Sequence, residues 1–229
     1  ETVRRLASMK TGAPDFKIIW DNAYCVHHLT DEHCSVPDIL TECKKYGTKD
    51  RPLLVCSTSK MTFPGAGVAA LAASEANIRH ILTQMAPMAI SADKMNQMRH
   101  VSFLKNKAGV LAHMEKHRAI LEPKFELLKE AFARQLTPCG AIARWTSPKG
   151  GYFISLYVMD GCAKRVVQLC KEAGVILTPA GSAYPYGNDP QDHHLRIAPS
   201  YPTVAELDQA SQLLCVSVRL ASLEKLLQA

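Results

Sequence analysis

Several features that would assign a protein to a particular class are absent from these 229 residues. No apolar run approaches the roughly 18 residues that a membrane span needs, and the start has no signal-peptide pattern. The eight cysteines include no C-x-x-C pair, and basic residues never form a run of five or six despite a net charge of +6. The sequence therefore predicts a cytoplasmic globular protein with reduced, mostly buried thiols, which binds neither membrane nor nucleic acid.

The first ten residues already have the pattern of a helix. Val3, Leu6 and Met9 recur at helical spacing, and neither an initiator methionine nor an N-cap residue precedes them. We interpret this as a sequence that begins inside a longer protein.

Apolar runs of strand length alternate with helical patterns along the chain, which predicts α/β layers. We expect strands at residues 16–20, 52–56, 68–73, 151–158, 175–177 and 194–198. We expect helices at residues 1–10, from 36 to Gly47, from 75 to 136 with an interruption near Pro87, and at 163–173 and 204–227. The predicted organisation is a partial α/β large domain (1–89), a connecting helical segment (90–136) and a small α+β domain (137–229).

Polar side chains with catalytic potential follow or lie within three of these strands. Asp21 and Tyr24 follow the first strand, residues 57–60 (Ser-Thr-Ser-Lys) follow the second, and Arg196 lies in the last. Ligands of open α/β sheets gather at the carboxyl ends of the strands. We therefore expect the first two groups to converge on one ligand.

Such a set suits amine transfer through a Schiff base. A lysine amine can bond covalently to an aldehyde cofactor and later move the α-proton. A carboxylate keeps a pyridine nitrogen protonated, and a phenol lies near the ring oxygen. Hydroxyl groups take phosphate oxygens, and an arginine fork binds the α-carboxylate of an amino acid.

The chain resembles the class I aminotransferases, which have the type I fold of pyridoxal-phosphate-dependent enzymes. Four motifs carry the resemblance in the family's order: D-x-x-Y (Asp21, Tyr24), S-x-S-K (57–60), P-x-G-G-Y-F (148–153) and L-R-I-A with Y-P (195–198, 201–202). The resemblance implies that Lys60 is catalytic and binds pyridoxal 5'-phosphate together with Asp21, Tyr24, Ser57 and Ser59, and that Arg196 binds the substrate. It also implies amino-acid and 2-oxo-acid substrates, aspartate among the candidate donors, and a homodimer in the full-length protein.

The sequence departs from the family pattern in two respects. Many relatives have an arginine that binds the phosphate eight positions after the Schiff-base lysine, and Val68 stands there in this chain. The Gly65-Ala66-Gly67 segment just before it is similar to that of a bacterial aspartate-aminotransferase-like subgroup. The family's N-terminal half, which carries the glycine-rich phosphate turn, is missing, so we expect this chain alone to be inactive.

Two other functions remain open on the residues alone. Ser57-x-x-Lys60 is also the nucleophile motif of serine acyl-transfer enzymes, although Lys10-Thr11-Gly12 precedes the serine and S-D-N is absent. The chain could instead be a non-catalytic interaction module that retains the fold. A zinc site is disfavoured, because the cysteines and histidines at 25–34 match no common zinc spacing, and we predict no metal.

Overall fold

The computed structural model describes residues 1–228 and divides the chain into two units. The first unit comprises residues 1–26 and 33–115, and the second comprises 27–32 and the chain from Lys116 onward. No helix among the described residues is both long and apolar enough to cross a membrane.

The first unit is built on a three-stranded sheet in the order β1-β2-β3. Its strands are β1 (Ile18–Asp21), β2 (Pro52–Ser57) and β3 (Ala69–Ala73). β1 runs parallel to β2, whereas β3 pairs antiparallel to β2. Its helices are α1 (Thr2–Ser8), α2 (Ile39–Lys45), α3 (Glu75–Met85), α4 (Lys94–Leu104) and the beginning of α5 (Lys107–Gln135).

A small apolar core fixes the first helices of this unit. Val3 and Ala7 of α1 are buried together with Ile39 and Cys43 of α2, and Trp20, Leu40 and Leu54 pack against them. The i, i+4 spacing in both helices places each buried pair on one face. Asp38 begins α2 by accepting the backbone N–H groups of Leu40 and Thr41, which lack partners within the helix.

The first unit has many apolar residues that no other part of residues 1–228 covers. None of the residues of α3 is buried, β3 is mostly exposed, and Ile19 and Met88 are 74% and 81% exposed. Exposed apolar surface of this extent is typical of an interface or of a tendency to aggregate.

The second unit is an antiparallel sheet covered by helices. Its strands β4 (Ala143–Trp145), β5 (Ile154–Val158) and β6 (His194–Ile197) pair in the order β4-β5-β6, and its helices are the rest of α5, α6 (Ala163–Glu172) and α7 (Val204–Leu227). The core includes Phe125, Leu128, Phe132, Ile154, Leu156, Leu195, Leu214 and Val218. Burying one such side chain contributes about 1.5–3 kcal/mol, so this unit has a substantial core of its own.

Most elements expected from the sequence are confirmed, including α7 at Val204–Leu227. The interruption expected near Pro87 is confirmed, since Ala86 to Asp93 separate α3 from α4. A second break at residues 105–106 was not expected, and the strand expected at 151–158 begins only at Ile154. β4 was not expected. The domain boundaries predicted at residues 89 and 136 stay predictions.

The strand expected at residues 175–177 is wrong. Val175 donates its backbone N–H to the carbonyl of Cys170 at 2.8 Å, and Gly174 adopts a positive φ of 89°. These are the features of a glycine-terminated helix end. The N–H that a strand would use therefore closes α6 instead.

Candidate active site

The predicted cofactor residues lie at one edge of the first sheet. β1 and β2 are parallel with Asp21 opposite Val55, and the N–H of Asn22 donates to the carbonyl of Val55 at 2.8 Å. Both strands therefore end on the same side. The structure brings Asp21 to Tyr24 and the segment 57–60 to the same edge of one unit, as the sequence predicted.

Asp21 is held in a defined position by its own backbone. Its Oδ1 accepts the N–H of Ala23 at 3.1 Å, which is an Asx turn. The second oxygen, Oδ2, accepts no hydrogen bond from residues 1–228. The Asx turn thus fixes the carboxylate and leaves one oxygen for a ligand, while Tyr24 is half-buried one turn of chain further on.

The hydroxyl groups of Ser57 and Ser59 form a compact pair. Their Oγ atoms are 2.7 Å apart, and Ser57 Oγ also accepts the N–H of Ser59 at 3.0 Å. Next to this pair, the N–H groups of Met61 and Thr62 both donate to the carbonyl of Thr58 at 2.9 Å. This tight turn carries Lys60, whose side chain is exposed.

Val68, at the position where many relatives carry arginine, has a structural role. Its carbonyl accepts the N–H of Thr58 at 2.9 Å, and its own N–H donates to Thr58 Oγ1 at 2.8 Å. Gly67 beside it packs so closely that a Cβ there would lie 2.5 Å from Ser59 Oγ and 2.9 Å from Ser59 N. The segment 65–68 therefore supports the serine pair through its backbone.

Sequence reasoning missed three polar side chains that contact this segment. His100 Nε2 lies 2.9 Å from Thr58 Oγ1 and 3.0 Å from Thr62 Oγ1. Asn96, one helical turn earlier on α4, donates to the carbonyl of Ala66 at 2.9 Å, and His113 Nε2 lies 2.7 Å from the carbonyl of Met61. The signal was the i, i+4 spacing of Asn96 and His100, which places both on one helix face.

Arg196 belongs to the second unit and lies on β6. The strand alternates, so Leu195 and Ile197 are buried in the core while Arg196 occupies the opposite face. Its guanidinium carbon lies 4.7 Å from the ring centroid of Phe153, a cation–π contact. Its Nε is buried and has no hydrogen-bond partner among the described residues, which leaves a donor for an anionic ligand.

Asp189 orders the chain just before β6. Its Oδ2 accepts the N–H groups of His193 and His194, each at 2.9 Å, and its Oδ1 accepts the N–H of Gln191 at 3.1 Å. Burial opposes ionisation of this carboxyl, but the N–H donors outweigh burial and lower its pKa. Asp189 is therefore a buried anchor for the strand that carries Arg196.

All eight cysteines are free thiols, and Cys43, Cys162, Cys170 and Cys215 are buried. Burial raises the pKa of Cys215 to about 12, which makes that thiol unreactive. Among residues 1–228, no group of three histidine, cysteine, aspartate or glutamate side chains could hold a metal ion.

Comparison with known proteins identifies the class that this fold and these motifs define. The family model of aspartate amino-transferases matches residues 1–229. The chain therefore belongs to the aspartate aminotransferase family, and its mixed α/β fold is that of aminotransferases.

Individual relatives agree with this placement. A protein of Mycolicibacterium smegmatis that carries the name of an aminotransferase is 46% identical over 227 residues, which are 99% of this chain and 53% of that protein. An aspartate aminotransferase of Corynebacterium glutamicum is 44% identical over 224 residues, 98% of this chain and 52% of that protein. A solved aspartate transaminase from C. glutamicum superimposes with a TM-score of 0.94 at 44% identity, covering 97% of this chain and 52% of that one. The chain thus spans about half the length of the curated relatives it matches.

Proposed function

We propose that the protein carrying this sequence transfers an amino group from an amino acid to a 2-oxo acid with pyridoxal 5'-phosphate bound to Lys60. The observation that carries the proposal is the parallel pairing of β1 and β2, since it places Asp21, Tyr24 and residues 57–60 at one sheet edge. Membership of the aspartate aminotransferase family supports the same reaction. The same family membership disfavours an acyl-transfer reaction with Ser57 as the nucleophile.

The residues at this edge fit the cofactor chemically. When bound, pyridoxal phosphate supplies an aldehyde carbon and an electron-withdrawing ring. Lys60 Nζ would hold the cofactor through its aldehyde carbon. Once the amino group of the substrate displaces it there, the released Lys60 amine would take the proton from the substrate α-carbon. The free oxygen of Asp21 would keep the ring nitrogen protonated, and the Tyr24 hydroxyl would donate to the ring oxygen.

The phosphate is assigned to the serine pair. Ser57 and Ser59 present two hydroxyls 2.7 Å apart, which can each donate to a phosphate oxygen when the ligand replaces their mutual bond. Because Val68 supplies no cation, binding of the phosphate would depend on neutral donors here and on groups outside this chain. Loss of either serine should therefore reduce cofactor affinity more than in a site with an arginine.

Arg196 is assigned to the α-carboxylate of the substrate. The Phe153 ring centroid lies 4.7 Å from the guanidinium carbon, and the buried Nε without a partner among the described residues would gain one when a carboxylate binds. A guanidinium fork and a carboxylate match in bidentate geometry. Aspartate is the favoured amino donor on family membership, and we further infer a cytoplasmic homodimer in amino-acid metabolism.

Replacement of Asp21 by asparagine tests the assignment of the site. In the holoenzyme, Asp21→Asn should keep the cofactor but slow the conversion to the pyridoxamine form by about 10- to 150-fold, since a charged hydrogen bond of about 1.5–3 kcal/mol is lost. Asp15→Asn, an exposed aspartate of the same unit, is the control and should react normally. Normal rates in the Asp21 variant would contradict the proposal.

A further inference from the structure

α4 places two side chains against the turn that carries Lys60. His100 Nε2 contacts the hydroxyl groups of Thr58 at 2.9 Å and Thr62 at 3.0 Å. These threonines stand two residues before and two residues after Lys60. A single imidazole nitrogen therefore connects both sides of the turn.

The hydrogen bonds of His100 define which way each proton points. Nδ1 lies 2.9 Å from the carbonyl oxygen of Asn96, and a carbonyl can only accept, so Nδ1 carries the proton. In the neutral ring Nε2 is then an acceptor, and the Thr58 hydroxyl donates to it. The Thr62 hydroxyl lies 3.0 Å from the same nitrogen and 3.1 Å from the carbonyl of Thr58. Its proton is therefore shared between these two acceptors, and His100 Nε2 accepts from both threonines.

This direction of the Thr58 hydroxyl matters for the rest of the segment. With its proton on His100, Thr58 Oγ1 presents a lone pair to the N–H of Val68 at 2.8 Å. The reciprocal bond runs from the Thr58 N–H to the Val68 carbonyl at 2.9 Å. His100 thus stabilises the contact that joins the two ends of segment 58–68.

Asn96 acts on the opposite limb of the same segment. Its amide donates to the carbonyls of Ala66 at 2.9 Å and Gly67 at 3.3 Å. That limb is the one whose close approach to Ser59 leaves no space for a Cβ at Gly67. One face of α4 therefore contacts both limbs, and Ser59 of the first limb packs against Gly67 of the second.

We propose that His100 is a positioning residue for Lys60, acting through Thr58 and Thr62 rather than on the substrate. The proposal rests on the proposed function, because it assumes that Lys60 is the reacting amine. By fixing the turn on both sides, His100 keeps the lysine amine and the serine hydroxyls in one arrangement. Correct placement of a reacting group contributes to rate more than to substrate affinity when the substrate is bound elsewhere.

Two replacements of His100 separate its hydrogen bonds from its volume. His100→Phe keeps an aromatic ring, slightly larger than imidazole, and removes the hydrogen bonds of both ring nitrogens, whereas His100→Gln places an amide oxygen near the Nε2 position, where it can accept the Thr58 hydroxyl. His80→Phe is the matched control, since His80 is an exposed histidine of α3. All variants are made in the full-length protein, and thermal unfolding of each shows that it folds.

The first measurement is backbone hydrogen exchange on the cofactor-free protein. His100→Phe should accelerate exchange at Thr58 and Val68 by about 5- to 30-fold, the effect of losing one or two hydrogen bonds. His100→Gln should restore most of the protection, and His80→Phe should leave both amides unchanged. Unchanged exchange at both amides in His100→Phe would overturn the proposal whether or not Lys60 binds the cofactor.

The second measurement is steady-state kinetics of the holoenzymes. His100→Phe should lower kcat by about 10- to 30-fold while KM for the amino acid changes by less than about 3-fold, and His100→Gln should recover most of kcat. Equal losses in both variants, or a change confined to KM, would overturn the positioning role. Hydrogen exchange at Thr58 and Val68 is measured without cofactor, so it does not depend on which lysine binds the cofactor. If Lys60 were not the cofactor lysine, borohydride labelling and the kinetics of the unmodified enzyme would reveal it, and the exchange result would be unaffected.

Discussion

A methyl group at position 67 would enter the space that Ser59 occupies. The Cβ of alanine would lie 2.5 Å from Ser59 Oγ, 2.9 Å from Ser59 N and 3.1 Å from Ser59 Cα. Rotation of the serine side chain relieves only the first contact, so the backbone of Ser59 must move. Overpacking of this kind costs about 1–3 kcal/mol.

The displacement would act directly on the proposed phosphate donors. It separates Ser59 from Ser57, whose Oγ accepts the Ser59 N–H at 3.0 Å and lies 2.7 Å from the Ser59 hydroxyl. Each hydrogen bond from a serine hydroxyl to the phosphate would contribute about 1 kcal/mol, so a displacement that removes one or two of them predicts a fall in pyridoxal phosphate affinity of about 5- to 30-fold. Gly67→Ala should therefore weaken cofactor binding without touching Lys60.

The assay is a titration of the cofactor-free full-length protein with pyridoxal phosphate, followed by visible absorbance. Gly12→Ala is the control, because nothing lies within 4 Å of a Cβ at that position, and its affinity should equal that of the unmodified protein. If Gly67→Ala bound the cofactor with unchanged affinity, the segment 65–68 would not support the serine pair, and the reasoning would be refuted.

Three further perturbations test other parts of the structure. Arg196→Lys keeps the charge but loses the planar fork, so affinity for the amino acid should fall by about 10- to 150-fold. This affinity is measured by titrating the cofactor spectrum, and an unchanged value would contradict the assignment of Arg196 to the substrate α-carboxylate. Asp189→Asn should lower the free energy of unfolding at pH 7 by about 1.5–3 kcal/mol. Because folding lowers the pKa of Asp189, its contribution to the free energy of unfolding is complete above the unfolded pKa of about 3.9 and is lost as pH falls through the folded pKa. Denaturant titrations should therefore show a smaller stability difference between the unmodified protein and Asp189→Asn in acid than at pH 7. A difference that grew in acid would contradict this pH dependence. Residues 1–229 expressed alone should bind a hydrophobic dye and aggregate, since α3 buries no residue. A dye-silent, monomeric chain would contradict the interpretation of that surface as an interface or as prone to aggregation.

Local sequence was sufficient where one physical signal dominates. The apolar runs before Asp21 and Ser57 predicted β1 and β2, and Thr203 with Glu206 forms the capping box that begins α7 at its expected residue. The structure shows that the two strands are parallel, which is the usual pairing when a helix such as α2 connects two strands. The predicted cofactor residues therefore lie at the same sheet edge.

The missed features depend on contacts between segments distant in sequence. Thr58 and His100 are 42 positions apart, and nothing in either local pattern predicts that α4 packs on the Lys60 turn. The run at 175–177 was misassigned because its apolar composition favours a strand, whereas Gly174 and the Val175–Cys170 bond close a helix. Composition predicts burial, but it does not determine which backbone partner an N–H group finds.

The attachment of the cofactor to Lys60 can be measured directly. Borohydride reduction of the full-length holoenzyme fixes the cofactor to its lysine, and peptide mapping then identifies that residue. We expect one pyridoxyl group, on Lys60, in the peptide that contains Ser57 and Ser59. A pyridoxyl group on any other lysine, with Lys60 unmodified, would contradict it.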